Sequence, residues 1–211
     1  ASDAYVRETF DGFAEDFDRQ LLEDLDYRAP RLLHDLCVRT LPDAKDLDIL
    51  DAGCGTGLAG IEFRPMARFL AGIDLSPEML KLARDRGLYD ELAEEEIAAG
   101  FRARPERFDL IVAADVLCYV GDLSETLAAA AVALRPGGCL AFSVEAKTGG
   151  GDGYALTGSG RYVHDPAYIR DTAHNAGLFE LSGATDRLRT EYGEPVTGYL
   201  TVLRKGSGAA A

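Results

Sequence analysis

Four acidic residues stand at the ends of apolar runs in this chain, and three glycines at alternate positions follow the first of them. Asp51 closes the run from Leu47 and leads into Gly53, Cys54, Gly55, Thr56 and Gly57. Glycines so spaced let the backbone approach a ligand closely, with Cys54 as a filler between them. Asp74 closes a second run, 21 residues after Gly53, where a carboxylate can accept hydrogen bonds from both hydroxyls of a ribose. Glu96 and Ile97 follow a third, weaker run; they read either as ordinary surface and core or as the border of a purine. Asp115 follows a fourth run and either caps the next turn or faces the ligand. Met79, just beyond Asp74, is either core or a shelf for adenine. Together these residues describe a cradle for a nucleoside cofactor.

Such a cradle needs strands that end side by side. Leu47 to Gly53, Phe69 to Leu75, Glu91 to Ile97, Phe108 to Ala114 and Cys139 to Val144 read as five strands, the fourth apolar almost throughout, as in a sheet covered on both faces. Helical stretches alternate with them. One opens at Gly57 and is limited by Pro65; one is capped by Ser76 with Pro77 at its first position; one runs from about Leu123 to Leu134; one starts at Asp165-Pro166 and closes at Gly177. Strand–helix alternation implies a parallel sheet, with ligands beyond the carboxyl ends of its strands. Two further strands, Phe179 to Leu188 and Val196 to Leu203, have only Arg189 to Pro195 between them. That is too short for a parallel crossover, so the last strand should run antiparallel. Residues 148–160 read as a glycine-rich loop. Residues 3–39 read as two or three short helices broken near Tyr27-Arg28-Ala29-Pro30, forming either a packing layer or a cap over the site. The expectation is one α/β domain over residues 1–205, with 1–40 as helical cap and 45–205 as sheet core, followed by a tail or linker scar at 206–211.

With 211 residues and a formal net charge of −14, the chain is a poor partner for nucleic acid or an anionic membrane, which both select Lys and Arg. Cys37, Cys54, Cys118 and Cys139 lack metal-ligand spacing and read as reduced thiols, and no metal is expected. No basic-then-apolar leader and no run long enough to cross a bilayer is visible, so the expected compartment is the cytoplasm.

The cofactor can be narrowed from the same residues. In a dinucleotide fingerprint the third glycine comes one residue later than Gly57 does. Asp51 would repel a pyrophosphate but welcome an ammonium. S-adenosylmethionine carries an adenosine, an ammonium and a sulfonium, and no phosphate, so it suits Asp51, Asp74 and Asp115 better than a nicotinamide dinucleotide.

The stretches LDAGCGTG (50–57), GIDLSPEML (72–80), FDLIVAADVLCYV (108–120) and LRPGG (134–138) resemble the motifs of class I S-adenosylmethionine-dependent methyltransferases. The resemblance covers residues 45–145. It implies a Rossmann-like, seven-stranded, mostly parallel sheet in the order 3-2-1-4-5-7-6 with the seventh strand antiparallel. It also implies the backbone of Gly53 and Gly55 against the methionine moiety, Asp51 near its ammonium, Asp74 on the ribose, Leu75-Ser76 and Glu96-Ile97 around adenine, and Asp115 near the methionine. FDGFAEDFDRQLLEDLDYRAPRLL (10–33) with RDRGLYDEL (84–92) is similar to a group that includes the methyltransferase-like protein 27 type and bacterial methyltransferases described as TPR-containing. No TPR segment is visible in this sequence.

The methyl acceptor must be met by the more variable pieces. A small molecule methylated at oxygen is expected, with His164 as general base because an unperturbed imidazole titrates near neutrality. Glu145, at the end of the fifth strand, and Tyr119, Tyr162 and Glu191 are candidates to line its pocket, with Tyr154, Arg161 and Arg189. Tyr27 and Arg28 could close over the cofactor, Arg28 pairing with its carboxylate. Two alternatives remain: a nicotinamide-dependent oxidoreductase, and a catalytically silent methyltransferase-like protein serving as an assembly or regulatory partner.

Overall fold

The structure, a computed structural model, describes Arg7 and residues 25–148 and 152–207. The helices expected over residues 3–24 lie outside the described residues, Arg7 apart. The first described helix, α1 (Ala29–Thr40), carries Pro30 in its first turn, where a missing N–H costs nothing.

Strands β1 (Leu47–Ala52), β2 (Ala67–Asp74), β3 (Glu91–Glu94), β4 (Phe108–Ala113) and β5 (Leu134–Ala146) pair in parallel in the order β3-β2-β1-β4-β5. Their connections are α2 (Leu58–Phe63) with a 3-10 turn at Arg64–Met66, α3 (Pro77–Asp85), α4 (Ile97–Arg102) and α5 (Ser124–Ala133). Ser76 caps α3 as its sequence suggests, its hydroxyl accepting from the Met79 amide. The third strand stops at Glu94, short of the expected Ile97. Glu96 has turned to cap α4, accepting from the amides of Ala98 and Ala99 at 2.8 and 2.7 Å.

In its described part, residues 152–160, the stretch expected as a loop contains a strand. Tyr154–Leu156 (β6) and Tyr162–His164 (β7) form a short ribbon, and β7 runs parallel to the last residues of β5, Glu145 and Ala146. Dense glycines hide an alternation that is only three residues long on each side. After α6 (Pro166–Asn175), β8 (Leu178–Glu191) and β9 (Glu194–Lys205) form a long hairpin. Its turn is Tyr192-Gly193, both left-handed, with φ of 52° and 81°. Two such residues match the twist of a tight hairpin, so Arg189 and Glu191 belong to a strand and not to a loop. Strand β9 is antiparallel to β5 over Cys139–Glu145 and β8 is antiparallel to β9. With β8 and β9 as sixth and seventh strands, the order 3-2-1-4-5-7-6 and the antiparallel seventh strand hold.

Two apolar cores lie on opposite faces of the sheet. Phe101, Leu127, Ile169 and Ala173 pack on one, and Leu33, Leu36, Cys37 and Phe63 on the other. Strands covered on both faces leave only their ends open for chemistry, and the acids stand at those ends.

Candidate active site

The glycine loop is tied to the second strand by its own backbone. The Gly53 and Cys54 amides both donate to the Ile73 carbonyl, at 2.8 and 3.0 Å. Gly53 has φ +68°, and a Cβ there would lie 2.5 Å from the Val116 side chain, so glycine is demanded twice. The Gly55 amide donates to Asp74 Oδ2 at 2.8 Å, and the Ser76 amide to Oδ1 at 2.9 Å. Two backbone donors thus fix the Asp74 carboxylate at the crossing of the loop and β2.

Asp51 is buried beside this loop. Its Oδ2 accepts from the Tyr89 hydroxyl at 2.7 Å, and among the described residues Oδ1 has no hydrogen-bond partner. Burial pushes its carboxyl up to about 7; the Tyr89 hydrogen bond pulls the other way, and the nearby Asp74 adds to the rise. An orphaned, buried acceptor is costly unless a donor arrives, and an ammonium would be such a donor. Tyr89 was not singled out by its residue type. Its ring occupies space that glycines leave: a Cβ on Gly60 would lie 2.4 Å from its hydroxyl, and one on Gly72 would lie 3.0 Å from its ring. Glycines on two separate elements, α2 and β2, were the signal. The thiol of Cys54 is buried, and burial followed by the charges of Asp51 and Asp74 holds it well above the usual range, so it stays protonated filler.

Glu96 and Ile97 stand at the end of β3, but the Glu96 carboxylate is taken up by the α4 cap, which leaves its backbone as the part that could border a purine. Ile97 is half-buried against the core on that face. Met79 is fully buried, so its side chain is core in this structure. Leu75 is half-buried and Ser76 is buried. Arg7 pairs with Glu94 at 3.0 Å, which brings at least that residue of the N-terminal stretch to the end of β3.

Beyond β4 the structure gathers most of the expected acceptor residues into one ion cluster. Asp115 adopts φ +60°, with its amide donating to the Ser143 hydroxyl at 2.8 Å. Arg189 is 1% exposed. It donates to Asp115 Oδ2 at 2.7 Å, to Glu191 Oε1 at 2.7 Å and, very closely, to Glu145 Oε1. Arg161 donates to the same Glu191 oxygen at 2.6 Å and to the Tyr119 hydroxyl at 3.3 Å. Burial lowers the Arg189 pKa, but the charges of Asp115, Glu145 and Glu191 outweigh it and hold the guanidinium protonated. Burial likewise raises Glu191, yet Arg189 and Arg161 prevail and leave it below its ordinary value. The Tyr119 phenol is pushed up to about 12, chiefly by burial. The Tyr27 hydroxyl donates to the Ala114 carbonyl at 3.4 Å, and burial, then Asp115, hold that phenol protonated, with Asp51 adding to the effect. Tyr27 therefore stands near both acids.

Two of the expected residues have partners within the protein. Arg28, expected to meet the carboxylate of the cofactor, pairs with the part-exposed Asp186 of β8 at 3.4 Å. His164 is fully buried among Tyr154, Tyr162 and Tyr168, with ring centroids 6.0–6.5 Å away, and its Nε2 meets the Gly121 carbonyl at 3.0 Å. Burial lowers its pKa, so the imidazole is neutral. A ring enclosed on β7 by three tyrosines has no open path to an acceptor, and its place is in packing, not in proton transfer. Tyr162 belongs to the same aromatic group, 6.1 Å from Tyr154. Among the described residues no His, Cys, Asp and Glu side chains gather as a metal site, and no helix is long and apolar enough to cross a membrane.

Residues 50–140 match a family model described as a methyltransferase domain. A ubiquinone biosynthesis O-methyltransferase of Thiobacillus denitrificans is 32% identical over 159 residues, covering 65% of this chain and 67% of that protein. Human methyltransferase-like protein 27 is 43% identical over 86 residues, but the match spans only 40% of this chain and 35% of that one. Among solved structures, a Burkholderia thailandensis 1,6-didemethyltoxoflavin-N1-methyltransferase with bound S-adenosylhomocysteine superposes with TM-score 0.75 over 96% of this chain and 88% of its own, at 19% identity. The Synechocystis magnesium protoporphyrin IX methyltransferase, also with bound S-adenosylhomocysteine, gives 0.74 over 97% of this chain and all of its own, at 17% identity. At such identities these two likenesses speak for the fold.

Proposed function

Since this chain belongs to the class I S-adenosylmethionine-dependent methyltransferases, we propose that it methylates a small molecule at an oxygen atom. The cofactor is S-adenosylmethionine and the product S-adenosylhomocysteine. The observation that carries the proposal is the unpartnered, buried Asp51 Oδ1 beside a glycine loop, across from a cluster of acids held by Arg189.

The cofactor, when bound, supplies a methyl group activated by a sulfonium. Asp51 would receive the ammonium, the Gly53 and Gly55 backbone would lie against the methionine part, and Asp74 would take the ribose hydroxyls. Leu75, Ser76 and the Glu96–Ile97 backbone would border the adenine. Alignment of the acceptor with the methyl group supplies much of the rate, on the order of 7–11 kcal/mol in favourable cases. In the transfer the acceptor oxygen forms the new bond to carbon, the carbon–sulfur bond breaks with its electron pair going to sulfur, and the acceptor's proton leaves. Glu145 and Glu191 each bond the arginines through Oε1 only. The second oxygen of Glu145 could hold that proton, the role that His164 is too enclosed to fill, while Glu191 is kept ionised by Arg189 and Arg161. The Thiobacillus relative is named as an O-methyltransferase, which supports an oxygen acceptor. The excess of acid supports a small-molecule partner and not nucleic acid, and a cytoplasmic location remains the reading of the sequence.

Thermal unfolding of the full chain tests the assignment. S-adenosylhomocysteine should raise the melting temperature in a concentration-dependent way, since a ligand of the folded state stabilises by mass action, and NADH should not. Stabilisation by NADH alone would return the oxidoreductase reading. Mass spectrometry of phenols and amines incubated with the protein and S-adenosylmethionine then reads the acceptor atom, with methylated phenols expected.

A further inference from the structure

We infer that Arg189 is a positioning residue that sets the charge at the acceptor end of the site, an inference that rests on the methyl-transfer reading above. Its place in the fold is unusual. The pairing of β8 with β9 slips between Arg187 and Arg189, and such a bulge re-aims the side chains around it. Leu188 and Arg189 are consecutive and both are buried, Leu188 in the apolar core and Arg189 in the ion cluster. The neighbouring backbone is fastened on both sides. The Arg28 amide donates to the Leu188 carbonyl at 2.8 Å, and the Thr190 amide to the Leu25 carbonyl at 2.7 Å.

All three guanidinium nitrogens of Arg189 are engaged, each with a different carboxylate. Arg189 takes one oxygen of each acid, Glu191 Oε1, Asp115 Oδ2 and Glu145 Oε1, and the Cys118 thiol lies 3.9 Å from Asp115 Oδ1. Arg189 thus orients three acids and leaves one oxygen of each for other partners. It also offsets their charge. Asp115, Glu145 and Glu191 against Arg189 and Arg161 leave one net negative charge. Without Arg189 there would be two.

That balance bears on the reaction because methyl transfer discharges the sulfonium. A strongly negative surrounding stabilises the cationic reactant more than the transition state, and so slows the step. It would also repel an acceptor that has lost its proton. Arg189 keeps the acids in place while holding the potential near the sulfonium moderate.

S-adenosylmethionine and S-adenosylhomocysteine differ by the sulfonium charge, so the ratio of their dissociation constants reads this potential directly. Titration calorimetry of both ligands with the full chain is the test. Arg189→Met should shift the ratio towards S-adenosylmethionine by about threefold or more, and Arg189→Lys should restore it. Glu145→Gln, which removes one negative charge, should shift the ratio the opposite way, and it decides the matter alone if Arg189→Met does not fold. A purely structural residue would weaken both ligands equally. An unchanged ratio in the folded variants overturns the inference. Failure of the unmodified protein to bind either ligand would instead overturn the methyl-transfer reading itself.

Discussion

Asp51 and Asp74 end neighbouring strands and answer opposite demands. Asp74 is held before any ligand arrives, because two backbone amides fix its carboxylate, and on the proposed reading a ribose would meet a group already in place. Asp74→Ala should weaken S-adenosylhomocysteine by at least tenfold, or ~1.4 kcal/mol, in a calorimetric titration. Asp51 is left with one oxygen unmet, and its ionised form is costly in the cofactor-free protein. The sign follows from the raised pKa. Asp51 moves from 3.8 to about 7 on folding, so the folded chain binds the extra proton between those values. Its contribution to stability is full below pH 3.8 and is lost as the pH rises through about 7. Asp51→Asn imitates the protonated side chain. Without ligand, the variant should melt above the unmodified protein at pH 8 and close to it at pH 5.

The β6–β7 ribbon and the β8–β9 hairpin, proposed here to build the acceptor side, were the least legible parts of the sequence. The parallel strands announce themselves by long apolar runs, and the helices by Ser76, Pro77, Asp165 and Pro166 at their starts. The ribbon has no such run, only Tyr154-Ala155-Leu156 and Tyr162-Val163-His164 around a polar turn. Arg189 and Glu191 read as loop because charged residues rarely belong to a buried strand end; only the mutual neutralisation seen in the cluster makes that placement tolerable. His164 was attractive as a base because of its residue type, but the tyrosines that enclose it come from β6, β7 and α6, and no local pattern reveals that convergence. His164→Ala should lower stability by about 2–4 kcal/mol, through a cavity and a Gly121 carbonyl left without its donor. Denaturant unfolding reads that loss, and the affinity for S-adenosylhomocysteine should be unchanged.

The molecule as a whole divides its labour along the sheet. Strands β1 to β3 with the glycine loop bring Gly53, Gly55, Asp51 and Asp74 together, and this meeting was visible from residue spacing. Tyr89 escaped notice because its partners, Gly57 and Gly60 at the start of α2 and Gly72 on β2, are brought to it only by folding. Strands β4 to β9 hold the ion cluster proposed to face the acceptor, most of it beyond residue 140, where the family model ends. The two halves meet between Asp51 and Asp115, with Tyr27 near both. Binding of a cationic amino-acid group at Asp51 is therefore the step on which everything else depends, and it carries a signature in protons. Calorimetric titration of S-adenosylhomocysteine from pH 5.5 to 8.5 reads it, as roughly a tenfold gain in affinity per pH unit below the Asp51 pKa and a plateau above. The same titration of Asp51→Asn should be weak and nearly flat. A wild-type affinity that does not change with pH, or an Asp51→Asn variant that binds as tightly as the parent, would contradict the assignment of the ammonium to Asp51.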